Sequence, residues 1–163
     1  MAENKPDNNQ VKELISLSVM NSIDVRYSSG PMMGKWFEGF KDKKLYASKC
    51  PQCGRTQTPP SESCPRCAIR TEEVVEVGPE GIICEADIFY FSSPDPLTGY
   101  LRPTPYNMCI FKLDNASADD AFAFTVRNED NDKLKRGVRV RAVWNEVRTG
   151  SVADLLHFKV IDD

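Results

Sequence analysis

The sequence is short of histidine: His157 is the single one in 163 residues. That excludes metal sites built from several histidines and most catalytic schemes resting on an imidazole base. A basic excess is lacking too. Lys and Arg number 21 against 24 Asp and Glu, a net charge of −3, which argues against a protein that wraps duplex nucleic acid. No apolar run approaches the ~18–20 residues of a membrane-spanning helix. The opening MAENKPDNNQ has no apolar signal-peptide core. The expected address is therefore the cytoplasm, where thiols stay reduced. Phosphate-cradling and dinucleotide glycine fingerprints, internal repeats and low-complexity tracts are also missing. What is present is core material. Apolar residues make up 40%, with 8 Phe, 5 Tyr and 2 Trp, enough for one ordinary domain or two small ones.

Six cysteines in a reducing compartment need an explanation other than disulfides. Four are clustered as Cys50-Pro-Gln-Cys53-Gly54 and Cys64-Pro-Arg-Cys67. Two residues between the cysteines of each pair let one turn aim both sulfurs at one ion. The segment between the pairs is long enough for a hairpin that brings them together. Four thiolates in a tetrahedron suit a closed structural zinc site and leave no open position for catalysis. Iron in the same cage and redox-active dithiols are the lesser alternatives. Gly54 permits positive φ just after the second ligand. So small a module has no core of its own, so the metal is expected to supply its folding energy.

Along the chain, residues 1–10 read as a tail, and Val11, Leu14, Ile15 and Leu17 have rough helical spacing. After the breaker cluster ending at Pro31, residues 32–46 place Met33, Trp36, Phe37, Phe40 and Tyr46 on one helical face. That face either packs on its own domain or docks on another protein. From residue 71 onward the texture changes to short β-like runs: 73–77, 81–91, 106–113, 121–127, 138–147 and 155–161. Turn material separates them, the pattern of a small barrel or sandwich. The expected class is α+β. It comprises a helical, partner-binding arm over 1–32, a helix plus rubredoxin-like four-cysteine zinc ribbon over 33–70, and a five-stranded OB-fold-like barrel over 71–163.

Trp36 and Gly39, Leu45, the CPQCG knuckle, Pro59-Pro60, the CPRC knuckle, Gly81, the run YNMCIFKL and the run GVRVRAVW occur in an order that is informative as a set. In these marks the chain resembles the zinc-ribbon/OB-fold family of acyl-CoA-associated proteins that partner thiolases and related condensing enzymes. The resemblance covers roughly residues 33–162. It implies a non-catalytic accessory subunit in a hetero-oligomer. The catalytic chain would carry the nucleophile, and the small chain's barrel would help hold the CoA thioester. Family members serve several pathways, among them the thiolases of anaerobic aromatic degradation. Two features depart from the common family form: the first barrel strand ends ADIFYFSS, and the segment before residue 30 is long.

The residues themselves offer no nucleophile–base set. Cys84 and Cys109 lie in apolar strand contexts, and His157 sits in an alternating terminal strand, LLHFKV. CoA phosphates would need cations, and Arg102, Arg127 and Lys133 are the candidates. A different class of function stands beside this one, a ribbon–barrel that binds single-stranded nucleic acid. Lys43, Lys44, Lys49, Arg55, Arg66 and Arg70 would form its basic face, and Phe89, Tyr90, Phe91 and Tyr100 a stacking platform. Glu62, Glu72, Glu73 and Glu76 dilute that face, so nucleic acid is the second reading.

Overall fold

A computed structural model of the chain describes residues 28–95 and 99–161. The helical spacing around Val11–Val19, and with it most of the expected arm, lies outside the described residues. Helix α1 spans Gly30–Lys41, with Pro31 in its first turn, where the ring's fixed φ suits a helix start. Met32, Trp36 and Phe40 recur at helical spacing and are buried, while Phe37 is half-buried. The aromatic face therefore packs on its own molecule. A Cβ at Gly39 would lie 2.5 Å from the Tyr46 ring, so only glycine lets the following strand approach this closely.

The periodicity predicts helix as far as Tyr46, but α1 stops five residues earlier. Lys43 turns the chain at φ 59°, and the Lys44 amide closes back on the Gly39 carbonyl at 2.9 Å. Leu45–Lys49 is then β1, and Thr56–Gln57 is β2. β3, Glu73–Val77, pairs antiparallel with β1 along its length, from Leu45↔Val77 to Lys49↔Glu73. The order in this small sheet is β2-β1-β3. β3 thus joins the cysteine-bearing sheet rather than the strands that come after it.

Those later strands are β4 (Glu80–Phe89), β5 (Tyr106–Leu113), β6 (Phe122–Phe124), β7 (Arg139–Trp144) and β8 (Leu155–Val160). They form a five-stranded antiparallel sheet in the order β6-β5-β4-β7-β8. β5 alternates strictly, burying Asn107, Cys109, Phe111 and Leu113, the period-2 signature of one face on a core. β4 changes register between Ile83 and Glu85, a bulge of the kind that bends a strand and increases its twist.

The expected five-stranded barrel is corrected here to an open sheet. β6 pairs over three residues only. A single parallel bridge, Val126↔Phe158, crosses the gap to β8, made by the Arg127 amide to the Phe158 carbonyl and the Phe158 amide to the Thr125 carbonyl, each 2.9 Å. Continuous closure needs paired strands on both sides of every member, and β6 is too short to supply it. One core nevertheless unites the molecule. Trp36, Phe40, Leu45, Ala47 and Val77 share it with Ile83, Phe111, Leu113 and Phe158. The Phe111 and Phe158 rings lie 4.5 Å apart, and Trp36 meets Phe122 edge-on at 5.7 Å. Among the described residues no helix is long and apolar enough to cross a membrane.

Candidate metal centre and groove

The two knuckles are near copies of each other. In the first, the Cys50 amide donates to the Arg55 carbonyl and the Gly54 amide to the Cys50 carbonyl, both 2.9 Å. In the second, the Cys64 amide donates to the Ile69 carbonyl (2.9 Å) and the Ala68 amide to the Cys64 carbonyl (2.8 Å). The residue after each second cysteine is left-handed, Gly54 at φ 70° and Ala68 at φ 56°. The sequence pointed to this need at Gly54. At Ala68 an ordinary L-residue meets it.

The turns bring the Cys50, Cys53, Cys64 and Cys67 sulfurs within 4.8 Å of one another. Cys53 Sγ and Cys64 Sγ are 3.8 Å apart, and a tetrahedron with zinc–sulfur bonds of about 2.3 Å has edges of about 3.8 Å. The donor set therefore fits a closed tetrathiolate zinc site. Four sulfurs this close do not all ionise without a cation. The Cys53 amide, 3.5 Å away, helps hold the Cys50 thiol down to about 7, while hydrogen bonding to Cys53 pushes Cys67 up to about 12. A dication at the centre removes that conflict and stabilises all four thiolates.

A groove of about 710 Å³ opens on the five-stranded sheet, lined in part by Tyr106, Phe124, Leu156 and His157. Two of the three cations predicted for CoA line it. Arg102 Nε donates to Asp95 Oδ2 at 3.2 Å, and its guanidinium lies 5.4 Å from the Tyr106 ring centre. Arg127 grips the buried Asp130 with two bonds, 2.6 and 3.0 Å. Any incoming anion must therefore compete with a carboxylate already in place. Lys133 lies elsewhere, in a smaller cleft with Lys135 and Arg136.

The remaining candidates are quiet chemically. Cys109 is fully buried, and desolvation pushes its thiol up to about 11, so it stays protonated. Cys84 is half-buried at the β4 bulge. Burial also lowers the His157 pKa, keeping the ring neutral near pH 7. The sequence reading missed Asn107. Its side chain accepts from the Val126 amide and donates to the Val126 carbonyl, each at 2.8 Å, fixing the chain just beyond β6. Its place in an alternating strand was the one available signal, and alternation alone does not separate a buried amide from a buried hydrocarbon.

Residues 37–73 match the family of the ChsH2 rubredoxin-like zinc ribbon domain. The match takes in both knuckles and ends at the first residue of β3. The tetrad is thereby a structural zinc site, in line with the zinc-ribbon family indicated by the sequence. Ribbon and sheet together also have known structural counterparts. A protein of unknown function from the DUF35 family of Sulfolobus solfataricus superposes with a TM-score of 0.58 at 22% identity, over 81% of this chain and 87% of that one. One chain of the Ltp2-ChsH2(DUF35) aldolase superposes with a TM-score of 0.59 at 21% identity, over 83% of this chain and 98% of that one. At these identities the likeness is one of fold. No curated protein matches in sequence.

Proposed function

We propose that this protein is the non-catalytic accessory subunit of a thiolase-type acyl-CoA enzyme, and that its groove helps hold the CoA moiety. The carrying observation is that ribbon and sheet together share the fold of one chain of the Ltp2-ChsH2(DUF35) aldolase across 98% of that chain. The groove adds chemical support. It offers an apolar stretch at Phe124 and Leu156 for a pantetheine arm, with the Arg102 and Arg127 guanidinia on the same lining for phosphates. Lys133, in its separate cleft, would reach only a different part of the cofactor.

A partner is also supported by what lies in water. Tyr90, Phe91, Tyr100 and Leu101 are 78%, 62%, 79% and 68% exposed, and grouped large apolar side chains of this kind mark interaction surfaces. In this reading residues 1–32 form the partner-binding arm, 33–70 the helix and ribbon, and 71–163 the region that carries the five-stranded sheet and its groove, with β3 pairing back onto the ribbon's β1. The finest form of the proposal, resting on the sequence resemblance, is a thiolase of anaerobic aromatic degradation such as benzoylsuccinyl-CoA thiolase.

The test is purification of the untagged chain from its native cells, followed by identification of whatever co-elutes. A thiolase-type chain is expected at a fixed ratio, with no thiolysis by the small chain alone. Elution without a partner, or acyl-CoA cleavage by the pure protein, would overturn the proposal. Oligonucleotide binding that weakens steeply with salt would favour the nucleic-acid reading instead.

A further inference from the structure

The ribbon and the groove share no residues, yet one short loop bonded to the ribbon leads directly into the groove wall. The chain between the knuckles runs Arg55-Thr56-Gln57-Thr58, and it is fastened to residues 117–121, the segment that feeds β6. The Thr56 amide donates to Ser117 Oγ, and the Ser117 amide donates back to Thr56 Oγ1, each at 2.8 Å. Asp120, 6% exposed, accepts from the Thr58 amide and the Thr58 hydroxyl, both 3.0 Å. Asp119 takes a guanidinium from each side of the metal site. Arg55 Nε donates to its Oδ2 at 2.8 Å, and Arg66 Nη2, from within the second knuckle, to the same oxygen at 3.1 Å.

The strand fed by this loop is a short edge. β6 is three residues long and pairs on one side only, with β5, and the bridge to β8 comes two residues beyond it at Val126. Residues 123–127 then form one wall of the groove. The other ties are the three-residue pairing with β5, the ring contacts of Phe122 with Trp36 and Phe158 and of Phe124 with Phe158, and the Asn107 bonds at Val126. The loop before the strand is the tie that joins it to the ribbon.

We propose that Asp119 and Asp120 are positioning residues that couple the metal ribbon to the groove, so that metal in the knuckles orders β6 and the groove wall. The coupling is mechanical. Arg55 and Arg66 are aimed at Asp119 only while the two knuckles hold their relative position, and that position is set by the four cysteines closing on one ion. Release of the ion frees the two guanidinia and the Thr56–Thr58 segment together. The β5–β6 loop then loses its charge-assisted bonds, each stronger than a neutral one, and the edge strand frays while the rest of the sheet, with its longer ladders, stays paired. The inference rests on the zinc site and not on the CoA reading.

Hydrogen exchange read by mass spectrometry tests it on the full chain, with zinc content measured in parallel. Chelation is expected to speed exchange in residues 117–127 by about tenfold or more, and to leave β4, β7 and β8 unchanged. Asp119→Asn and Asp120→Ala, each with zinc fully bound, are expected to speed exchange in the same residues without chelator. Undiminished protection at 117–127 in the chelated chain overturns the coupling. So does uniform loss across the whole sheet, which would make the ribbon a folding requirement rather than a positioning device. The two zinc-loaded variants test the aspartates directly: normal exchange in both refutes their role.

Discussion

The ribbon and the five-stranded sheet solve the same problem by different physics. The sheet hides Ile83, Phe111, Leu113, Val140 and Phe158 completely from water, and at about 25 cal/mol per Å² such burial is the dominant favourable term in folding. The cysteine knuckles have almost nothing comparable. Their buried side chains are mainly Cys50, Cys64 and small polar residues such as Thr56 and Thr58. A region that cannot bury enough hydrocarbon must find its free energy elsewhere, and four thiolates around one ion supply it. The contrast teaches where each half is vulnerable: the ribbon to chelation and acid, the sheet to cavities.

The largest expected effect breaks that comparison from the ribbon side. Metal binding in zinc-finger-like modules is worth roughly 10–16 kcal/mol at neutral pH. Cys53→Ser removes one of four ligands, so zinc content should fall from about one per chain to near zero. Hydrogen-exchange protection should vanish over 50–70 and persist in β4 and β5. Retention of full zinc by the variant would show that Cys53 is not a ligand.

Next in size is the opposite break. Phe158 packs on Phe111 and is fully buried, so Phe158→Ala should cost about 3–5 kcal/mol and lower the melting temperature by roughly 6–20 °C. Zinc should stay bound below the new transition. If the melt is unchanged, the core does not centre on this pair.

These two variants also show which features were legible in sequence and which were not. The cysteine tetrad needed only spacing, because both halves of each knuckle are three residues apart. β3 and β5 appear with the predicted bounds, since Glu73–Val77 and Tyr106–Leu113 are compact apolar runs between turn residues. The first two residues of β1, Leu45 and Tyr46, read in sequence as the end of the preceding helix. Tyr46 reads as part of the helical face of Trp36 and Phe40, and the partner that makes β1 a strand, β3, lies about thirty residues away. β4 stands where its apolar run predicts, but nothing local announces its bulge. The groove brings Arg102, Arg127 and His157 together from three separated segments. The loop Ser117–Asp120 reads simply as a turn, since its partners Arg55, Thr56 and Thr58 are some sixty residues earlier. Local pattern carries local structure; pairing across the chain leaves little trace in a single sequence.

Acid sharpens the comparison at intermediate size. The Arg127 guanidinium, helped by the Val160 amide, holds the Asp130 carboxyl below its usual range. A carboxylate depressed in the folded state adds stability above its unfolded pKa of about 4, and that contribution disappears as the pH falls through the lowered value. The sheet should therefore hold until the pH drops below about 4. Zinc thiolates compete with protons already in milder acid. Zinc release, followed by a colorimetric chelator, should consequently precede loss of sheet circular dichroism on titration downward. Asp130→Asn should cost about 1–3 kcal/mol at pH 7 and flatten the acid limb of the stability curve. Coincident zinc loss and sheet unfolding would mean the two regions do not fail independently.

The smallest expected effect lies inside the ribbon, between its two knuckles. Both need a left-handed residue after the second cysteine, but only one has glycine there. An L-residue in that conformation costs roughly 1–2 kcal/mol, and glycine gives back part of the gain through its freer unfolded chain. Ala68→Gly should therefore tighten zinc binding by a few tenths to about 1 kcal/mol, up to fivefold in a chelator competition. Gly54→Ala should weaken it by a similar amount. A Cβ at position 54 would meet nothing within 4 Å, so no clash contributes and the backbone alone sets the cost. The pair of substitutions is reciprocal, and the signs decide. Opposite shifts mean that the knuckles are energetically equivalent turns differing by one strained alanine. Shifts in the same direction would mean that Ala68 makes a contact worth more than its backbone strain, and that the symmetry of the two turns hides a difference in how each grips the metal.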